Sequence, residues 1–351
     1  MKINSLHICN LPTGEEVFRY TLENDHGIVI RLTNYGGSLT EAWIPDKNGK
    51  TDDVLLCYDA VEKLIMNTEP YFGCIVGRTC NRIAGSAFKI DGTEYKVSPN
   101  KGTFQLHGGF EGFNKKAWKS KAVSTDDDVS VILEYFSPDG EEGFPGNLQV
   151  KVVYSLNNNN ELSVSYYAMT DKPTPVNMTN HSYWNLRGEG SGDILDHQLV
   201  ILADQITEVD GNIIPTGFLK PVAGTAFDFT TPHTIGERIG ELYKGYDDNY
   251  CLRNLSGKLA PAARVFHPGS GRVMEVFTTE PGMQLYTANW FDGSITGKGG
   301  VPYMPHAAFC TETQHYPNSM NIPGFPNVIL RPGNMYSSET RWKFSVADSI
   351  Q

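Results

Sequence analysis

The chain has 351 residues, 40% of them hydrophobic, and a formal net charge of −11 at pH 7. A chain of this length can bury a full hydrophobic core without the help of disulfides. The acidic balance argues against nucleic-acid binding, because such proteins need a basic surface to neutralise phosphates. We therefore expect a globular protein without a nucleic-acid partner.

The N-terminus and the cysteines bear on the cellular compartment. Residues 1–10 lack the apolar segment of a signal peptide, and no stretch reaches the ~20 consecutive apolar residues of a membrane span. The cysteines are scattered without a CxxC pair, which predicts reduced thiols. They are Cys9, Cys57, Cys74, Cys80, Cys251 and Cys310. We expect a cytoplasmic protein with no membrane partner.

In chain order, segments that alternate apolar and polar residues predict β-strands. These segments are 88–97, 129–135, 148–156, 162–168, 272–279 and 283–289. The four asparagines at 157–160 separate two of the segments and predict a hairpin. Helical periodicity is scarce, and only 58–66 and 234–245 are expected to hold a turn of helix.

The strand pattern extends from near the start of the chain to near its end, without a break that would mark a second domain. Turn dipeptides such as Asp91-Gly92 and Pro332-Gly333 punctuate it. We predict an all-β fold with little helix: one large, mostly antiparallel β-sandwich formed by residues 1–351 as a single domain.

Nucleotide and metal motifs are absent or incomplete. Residues 292–300 (DGSITGKGG) are superficially like a phosphate loop, but the glycines are one residue too close and no Ser or Thr follows Lys298. The sequence contains no GxGxxG motif, so we expect no dinucleotide cofactor. Glu312, His315 and His306 lie near one another in sequence, but no HxH or HExxH motif completes a ligand set. We expect neither a metal nor another cofactor.

Six polar clusters interrupt the strand pattern and supply the candidate functional residues. They lie at 77–85, 104–109, 179–186, 245–252, 281–289 and 309–317. Their hydrogen-bonding side chains suit a ligand rich in hydroxyl groups, and neighbouring aromatic side chains can stack on a sugar ring. These aromatic residues are Tyr183, Trp184, Tyr250, Tyr286 and Trp290.

Each cluster alone also fits a structural role. His107 precedes two glycines and is compatible with a turn, and Asp247 is compatible with a turn cap or a solvated loop. Arg82 is compatible with a surface charge. Two histidines, His107 and His181, and a carboxylate in apolar surroundings are what acid–base catalysis requires. Taken singly, these clusters leave both interpretations open.

Five motifs follow one another in a fixed order: NRI (81–83), LHGG (106–109), NHSYWNL (180–186), PGMQLYT (281–287) and ETQ (312–314). In this order and spacing they resemble the aldose 1-epimerase (galactose mutarotase) family over nearly the whole chain. The resemblance implies a β-supersandwich with an open sugar cleft. It also implies interconversion of the α and β anomers of free aldohexoses, galactose and glucose, without a cofactor.

The same resemblance implies a role for each matching position. His181 corresponds to the general acid at the ring oxygen, Glu312 to the general base at the C1 hydroxyl, and His107 to a second histidine at the reacting end of the sugar. The corresponding substrate-binding residues are Asn81, Arg82, Asp247 and Gln284.

Two departures from the family pattern bear on the substrate preference that the resemblance implies, and not on the chemistry. Asp248 replaces the histidine of an Asp-His-Asn tripeptide, and Phe104-Gln105 stands where small polar residues or Asn are common. Two rival functions remain: a glycoside hydrolase or lyase with Asp247 and Glu312 as paired carboxylates, and a non-catalytic sugar-binding protein. We expect a monomer or weak dimer whose partner is a small monosaccharide.

Overall fold

The computed structural model describes residues 1–243 and 245–350 of the chain. These residues form twenty-seven β-strands, one α-helix and six short 3-10 turns. In chain order the strands are β1 (Lys2–Asn10), β2 (Glu16–Glu23), β3 (Val29–Thr33), β4 (Leu39–Pro45), β5 (Thr51–Asp53), β6 (Ile75–Val76), β7 (Arg82–Ile83), β8 (Ala87–Ile90), β9 (Thr93–Lys96), β10 (Gln105–Leu106), β11 (Lys119–Ser124), β12 (Asp128–Ser137), β13 (Leu148–Asn157), β14 (Glu161–Thr170), β15 (Thr174–Pro175), β16 (Thr179–Asn180), β17 (Gln198–Ile201), β18 (Ala203–Val209), β19 (Pro215–Pro221), β20 (His233–Thr234), β21 (Asp247–Leu252), β22 (Ala260–Phe266), β23 (Arg272–Thr278), β24 (Gly282–Tyr286), β25 (Cys310–Gln314), β26 (Ile329–Leu330) and β27 (Tyr336–Val346). The helix is α1 (Val61–Met66), and the 3-10 turns are Ala84–Ser86, Phe113–Lys115, Glu141–Gly143, Ile239–Glu241, Lys298–Gly300 and Ser319–Asn321. None of the described helices has the length and hydropathy needed to cross a membrane.

Three antiparallel sheets make up most of the fold. Strands β1 to β5 form a five-stranded sheet in sequential order. The largest sheet has nine strands in the order β11-β12-β13-β14-β27-β23-β22-β17-β20, and a second five-stranded sheet has the order β19-β18-β21-β24-β25. Four two-stranded pairs complete the described strands: β6 with β16, β7 with β10, β8 with β9, and β15 with β26. The predicted all-β, antiparallel sandwich with little helix is confirmed.

The inward faces of the three sheets share one hydrophobic core. On β13, Leu148 and Val150 are buried while Gln149 between them is exposed, as expected when successive side chains point to opposite faces. Ile30 of the first sheet and Leu285 of the second five-stranded sheet belong to the same buried cluster. Each fully buried Leu, Ile or Val contributes roughly 1.5–3 kcal/mol, so the alternating pattern supplies the main driving force for sheet stacking.

Local predictions agree with the structure except at some element ends. The hairpin around 157–160 is confirmed, with β13 and β14 paired from Leu148↔Thr170 to Leu156↔Leu162, and α1 lies within 58–66. The segment 234–245 contains only the 3-10 turn Ile239–Glu241, since its glycines disfavour a longer helix; Lys244 lies outside the described residues. The strand expected over 283–289 ends at Tyr286.

Two buried histidines share one carboxylate outside the cavity described below. His197 and His267 stack with their ring centroids 4.7 Å apart. The Leu186 N–H donates to Nε2 of His197 (3.0 Å), so a neutral His197 carries its proton on Nδ1, 3.1 Å from Asp196. Nε2 of His267 lies 3.4 Å from the other oxygen of Asp196. Burial lowers the pKa of both histidines, that of His267 to about 4.

This cluster predicts a loss of stability in mild acid. Between pH 6.5 and about 4 the unfolded chain binds a proton at position 267 that the folded chain does not, so the free energy of unfolding falls as the pH falls. Below about pH 4 the folded chain binds it too, and this contribution stops changing. In urea unfolding from pH 7 to 4.5, His267→Asn is expected to make the pH dependence shallower by up to ~1.4 kcal/mol per pH unit. Identical slopes for variant and parent would contradict the expectation.

Candidate active site

The structure brings the seven residues predicted for the site together around one cavity of about 450 Å³. They are Asn81, Arg82, His107, His181, Asp247, Gln284 and Glu312. The volume is in the range of cavities that hold small ligands. The polar clusters that the sequence places far apart therefore form one surface in the fold.

Strand pairing places the residues of the second five-stranded sheet. Gln284 on β24 lies directly opposite Glu312 on β25, and Asp247 begins β21, which pairs with the other edge of β24. Directly opposite residues on neighbouring antiparallel strands project from the same face of the sheet. The amide of Gln284 and the carboxyl of Glu312 therefore reach the cavity from adjacent strands.

His181 follows β16 directly, and its backbone continues the pairing of that strand with residues 73–74. Its carbonyl accepts from the Gly73 N–H (2.9 Å), and its own N–H donates to the Cys74 carbonyl (3.0 Å). The Asn180 amide donates to the Gly73 carbonyl (2.6 Å). Gly73 has φ +59°, and a Cβ there would lie 1.9 Å from the Leu39 carbonyl oxygen, so only glycine fits. Backbone pairing with residues 73–74 and the Asn180 side chain thus hold the backbone of the histidine in place.

His107 follows β10 with a left-handed backbone (φ 53°). The next residue, Gly108, has φ +88° and approaches the Gly77 carbonyl so closely that a Cβ would lie 1.9 Å from its oxygen. The Asn81 N–H donates to Nδ1 of His107 (3.1 Å). Since Nδ1 accepts a hydrogen bond, neutral His107 carries its proton on Nε2 and can donate only from that nitrogen.

The His181 imidazole and the Glu312 carboxyl form a buried pair. Nε2 of His181 lies 3.6 Å from Oε1 of Glu312. Burial raises the pKa of Glu312 well above its usual value, with a further rise from Asp247 and a partial offset from Arg82. Burial lowers the pKa of His181 to about 4. The Oε2 atom of Glu312 has no hydrogen-bond partner among the described residues, although buried polar atoms are normally paired.

A hydrogen-bonded network links the four predicted substrate-binding residues. Nε2 of Gln284 donates to Oδ1 of Asp247 (2.7 Å), and Oε1 of Gln284 accepts from the Asn81 amide (3.2 Å). The guanidinium of Arg82 lies 3.4 Å from Oδ2 of Asp247. Behind them, the buried Gln314 amide approaches Oε1 of Gln284 at 3.5 Å. These contacts orient the Gln284 side chain, with its amide nitrogen towards Asp247 and its carbonyl oxygen towards Asn81.

Metal binding can be tested against the same hydrogen bonds. His107, His181 and Glu312 offer ligand atoms that all lie within 4.8 Å of one another. A histidine ligand must offer a ring nitrogen without a proton, and its other nitrogen usually donates to a neighbour. Nδ1 of His107 instead accepts from the Asn81 N–H, which leaves the proton on Nε2. The donor set therefore does not fit a metal ion without breaking this bond.

The other candidate ligands from the sequence have structural partners. His315 bonds through Nδ1 to the buried Glu280 (2.5 Å), and His306 lies near the Thr287 carbonyl (3.0 Å). The ammonium of Lys298, in the segment superficially like a phosphate loop, donates to the carbonyls of Thr40 (2.6 Å) and Leu55 (2.9 Å). Lys298 therefore fastens its own loop to the first sheet.

The predicted sugar-stacking aromatics divide into two groups. Tyr183, Tyr286 and Trp290 line the cavity. The prediction is wrong for Trp184, which is fully buried against Trp342 in the core, and for Tyr250, which is equally buried. Successive side chains of an extended segment point to opposite sides, and both rings lie on the side that faces away from the cavity.

The two departures from the family pattern lie in different settings. Phe104 lines the cavity beneath the Arg82 guanidinium, whose central carbon is 5.7 Å from the ring centroid. Asp248 does not line the cavity; its Oδ2 accepts from the Asp247 N–H (3.1 Å). Burial raises the pKa of Asp248 to about 7. Of these two residues, Phe104 is placed to contact a ligand directly and Asp248 is not.

Sequence reasoning missed several cavity residues. Tyr71, Lys101, Phe291 and Ile295 also line the cavity. Tyr71 stands in PYFG, where an aromatic pair before a glycine resembles core material, so no local pattern marks it. Its left-handed backbone (φ 58°) is a feature that only the fold reveals.

Most of the chain matches a known protein family. Residues 19–343 match the profile of the family described as aldose 1-epimerase. The chain belongs to the aldose 1-epimerase family. The resemblance drawn from the five ordered motifs is confirmed.

Individual relatives of the family agree along the whole chain. It is 44% identical over 339 residues to the galactose mutarotase of Homo sapiens, covering 96% of this chain and 97% of the relative. It is 38% identical over 341 residues to the aldose 1-epimerase of Escherichia coli K12, covering 95% and 96%. This epimerase chain is accordingly an isomerase that interconverts the anomers of aldoses.

Solved structures of the family share the architecture. A galactose 1-epimerase from Lactobacillus acidophilus superposes with a TM-score of 0.87 at 28% identity, covering 98% of this chain and 99% of that one. A GalM/aldose epimerase homologue from C. elegans gives 0.86 at 30% identity, covering 93% and 98%. The supersandwich that the family resemblance implied is therefore the fold of this epimerase.

Proposed function

We propose that this epimerase acts on free galactose and glucose, and that His181 and Glu312 open and reclose the sugar ring as an acid–base pair without a cofactor. One observation carries the proposal. Glu312 is buried, one of its oxygens lies 3.6 Å from Nε2 of His181, and its other oxygen has no partner among the described residues. A carboxylate left in that state is suited to receive a hydroxyl of the substrate.

The reaction requires one proton to leave the C1 hydroxyl and one to reach the ring oxygen. Glu312 as carboxylate takes the first, and Nε2–H of protonated His181 delivers the second, while the C1–O5 bond breaks. The open-chain aldehyde rotates about C1–C2, and the reverse transfers close the ring as the other anomer. Each group contributes roughly 10²–10⁴-fold as a general acid or base.

The pKa directions of the pair favour the open-chain end of this sequence over its starting state. After ring opening Glu312 is a neutral carboxylic acid and His181 a neutral imidazole. Burial favours these two uncharged forms, since it raises the pKa of Glu312 and lowers that of His181. The environment therefore stabilises the protonation state of the open-chain complex, and the pair regains its starting state on closure.

His107 acts in the proposal as a neutral donor. Its Nδ1 is occupied by the Asn81 N–H (3.1 Å), which directs Nε2–H towards the cavity that His181 also lines. Burial, with the neighbouring His181, Arg82 and Lys101, lowers the pKa of His107 well below its usual value. It can hold a sugar oxygen at the reacting end without adding a charge.

Asp247, Arg82, Asn81 and Gln284 hold the hydroxyl groups that do not react. A charged carboxylate and guanidinium make short, strongly oriented hydrogen bonds to hydroxyls. Because C1 must rotate, these contacts belong on the distant carbons of the sugar. Asp247 is already bonded by Gln284 (2.7 Å) and faces Arg82 (3.4 Å), an arrangement that suits gripping better than the paired-carboxylate chemistry of a glycoside hydrolase.

We also propose an organisation for the chain. Residues 1–351 are taken as one domain, in support of which a single buried cluster extends from Tyr20 to Phe344. We further propose a monomer or weak dimer in the cytoplasm, without nucleic-acid partners. The acidic net charge of −11 supports the last point.

Polarimetry tests the substrate assignment. Freshly dissolved α-D-galactose and α-D-glucose are expected to reach equilibrium rotation many times faster with the protein than without it, and EDTA is expected to leave the rate unchanged. An unchanged spontaneous rate with both sugars would refute the proposal. Binding without acceleration would favour a sugar-binding protein, and release of reducing ends from an oligosaccharide would favour a hydrolase.

A further inference from the structure

Tyr71 contacts both histidines of the cavity. Its ring centroid lies 4.8 Å from that of His107 and 5.9 Å from that of His181. Its backbone has φ 58°, a conformation that is uncommon for a bulky side chain. Such a conformation persists where the surrounding structure holds it, and it is found disproportionately at functional sites.

The imidazole of His181 stacks with two aromatic rings. The ring of Tyr71 is nearly parallel to it at 5.9 Å and 20°, and that of Tyr183 at 4.9 Å and 25°. Tyr183 in turn stacks on Phe291 at 5.3 Å and 23°. Stacking contacts on the imidazole oppose its rotation about the Cβ–Cγ bond, which would move Nε2 away from Glu312, 3.6 Å distant.

We propose that Tyr71 is a positioning residue whose ring, together with that of Tyr183, stacks on the His181 imidazole and stabilises it in the protonated form. This inference rests on the proposed acid role of His181. The faces of aromatic rings carry partial negative charge and attract a cation placed over them, most strongly where water is excluded. Two such faces partly offset the cost of placing a positive imidazolium in a buried cavity.

Other titratable groups near this ring must be considered in any measurement. Glu312 faces Nε2, and the Cys310 thiol lies 3.6 Å from Nδ1. His107 meets the ring edge-on at 5.3 Å, as does Tyr286 at 6.3 Å. The conservative replacements below leave all of these groups in place.

The decisive experiment is an imidazole ¹⁵N NMR titration of the full-length chain without sugar. In Tyr71→Leu, which keeps an apolar side chain but removes the ring, the pKa of His181 is expected to fall by about 0.5–1, a three- to tenfold change in the protonation equilibrium. Tyr71→Phe is expected to keep the parental pKa. Phe104→Leu, a ring removed from the same cavity but from beside Arg82, is the matched control and should also leave it unchanged.

Kinetics supply the second readout. For galactose mutarotation, Tyr71→Leu should lower kcat about tenfold with KM changed less than threefold, and Tyr71→Phe should restore kcat. If Tyr71→Leu does not fold, Tyr71→Met carries the same expectations.

Three results would overturn the inference. An unchanged or raised His181 pKa without the ring would mean that Tyr71 acts only by excluding water. A Tyr71→Phe variant as slow as Tyr71→Leu would assign the role to the hydroxyl. A raised KM with unchanged kcat in Tyr71→Leu would assign it to substrate binding. Because the titration needs no turnover, it decides the inference even if the parent chain failed to accelerate mutarotation, which would refute the proposed function instead.

Discussion

Replacing Glu312 with Gln is expected to lower kcat for galactose mutarotation by roughly 10³-fold, within the 10²–10⁴ range of a general base. The amide has the same shape as the carboxyl but cannot accept the C1 hydroxyl proton. Initial rates of optical rotation measure the effect. A kcat within tenfold of the parent would show that another group is the base.

The same variant has a built-in control for folding. Burial raises the pKa of Glu312, so in the folded chain its ionised form is disfavoured, whereas the unfolded chain loses that proton above about pH 4.5. In the parent chain, the contribution of the Glu312 carboxyl to the free energy of unfolding is therefore present at low pH and is lost as the pH rises. At pH 7, Glu312→Gln is expected to unfold at the parental temperature or above it. A markedly lower melting temperature would mean that lost activity reports damage to the fold.

His181→Asn is expected to lower kcat by roughly 10²–10³-fold, because the amide can still form hydrogen bonds but cannot deliver a proton to the ring oxygen. KM should change little, since the proposed substrate-binding residues remain in place. His233→Asn is the matched control: His233 is paired with Glu237 away from the cavity and should keep the parental rate. Near-normal turnover by His181→Asn would move the acid role to His107 or to solvent.

The overall fold was accessible from the sequence because one physical rule governs most of it. Where one face of a strand is buried, side chains alternate, and this rule located β12, β13, β14 and β23 directly. Short pairs such as β16 with β6 escaped, because two residues carry no period. Their positions depend on packing between remote segments, such as that of Gly73 against Leu39.

The site divides in the same way. His181, Glu312 and the other five residues were found because an ordered set of motifs identified the family, and no single cluster sufficed. Trp184 and Tyr71 show two opposite ways in which the sequence misleads about which residues line the cavity. Trp184, three residues after His181, lies in the core, whereas Tyr71, in a turn that no motif marks, contacts both histidines. Which way a ring points within a turn follows from backbone angles that residue types alone do not define.

The order of strands in the nine-stranded sheet has a consequence for synthesis in the cell. The last strand, β27, lies in the middle of the sheet, between β14 and β23. While a ribosome makes the chain, the meander β11 to β14 must wait with an open edge until residues 336–346 emerge. Open edges of this kind readily pair with other chains. Truncation before β27 would therefore leave two unpaired edges and an exposed apolar face, and its product would be an aggregate cleared by quality control rather than a slow enzyme.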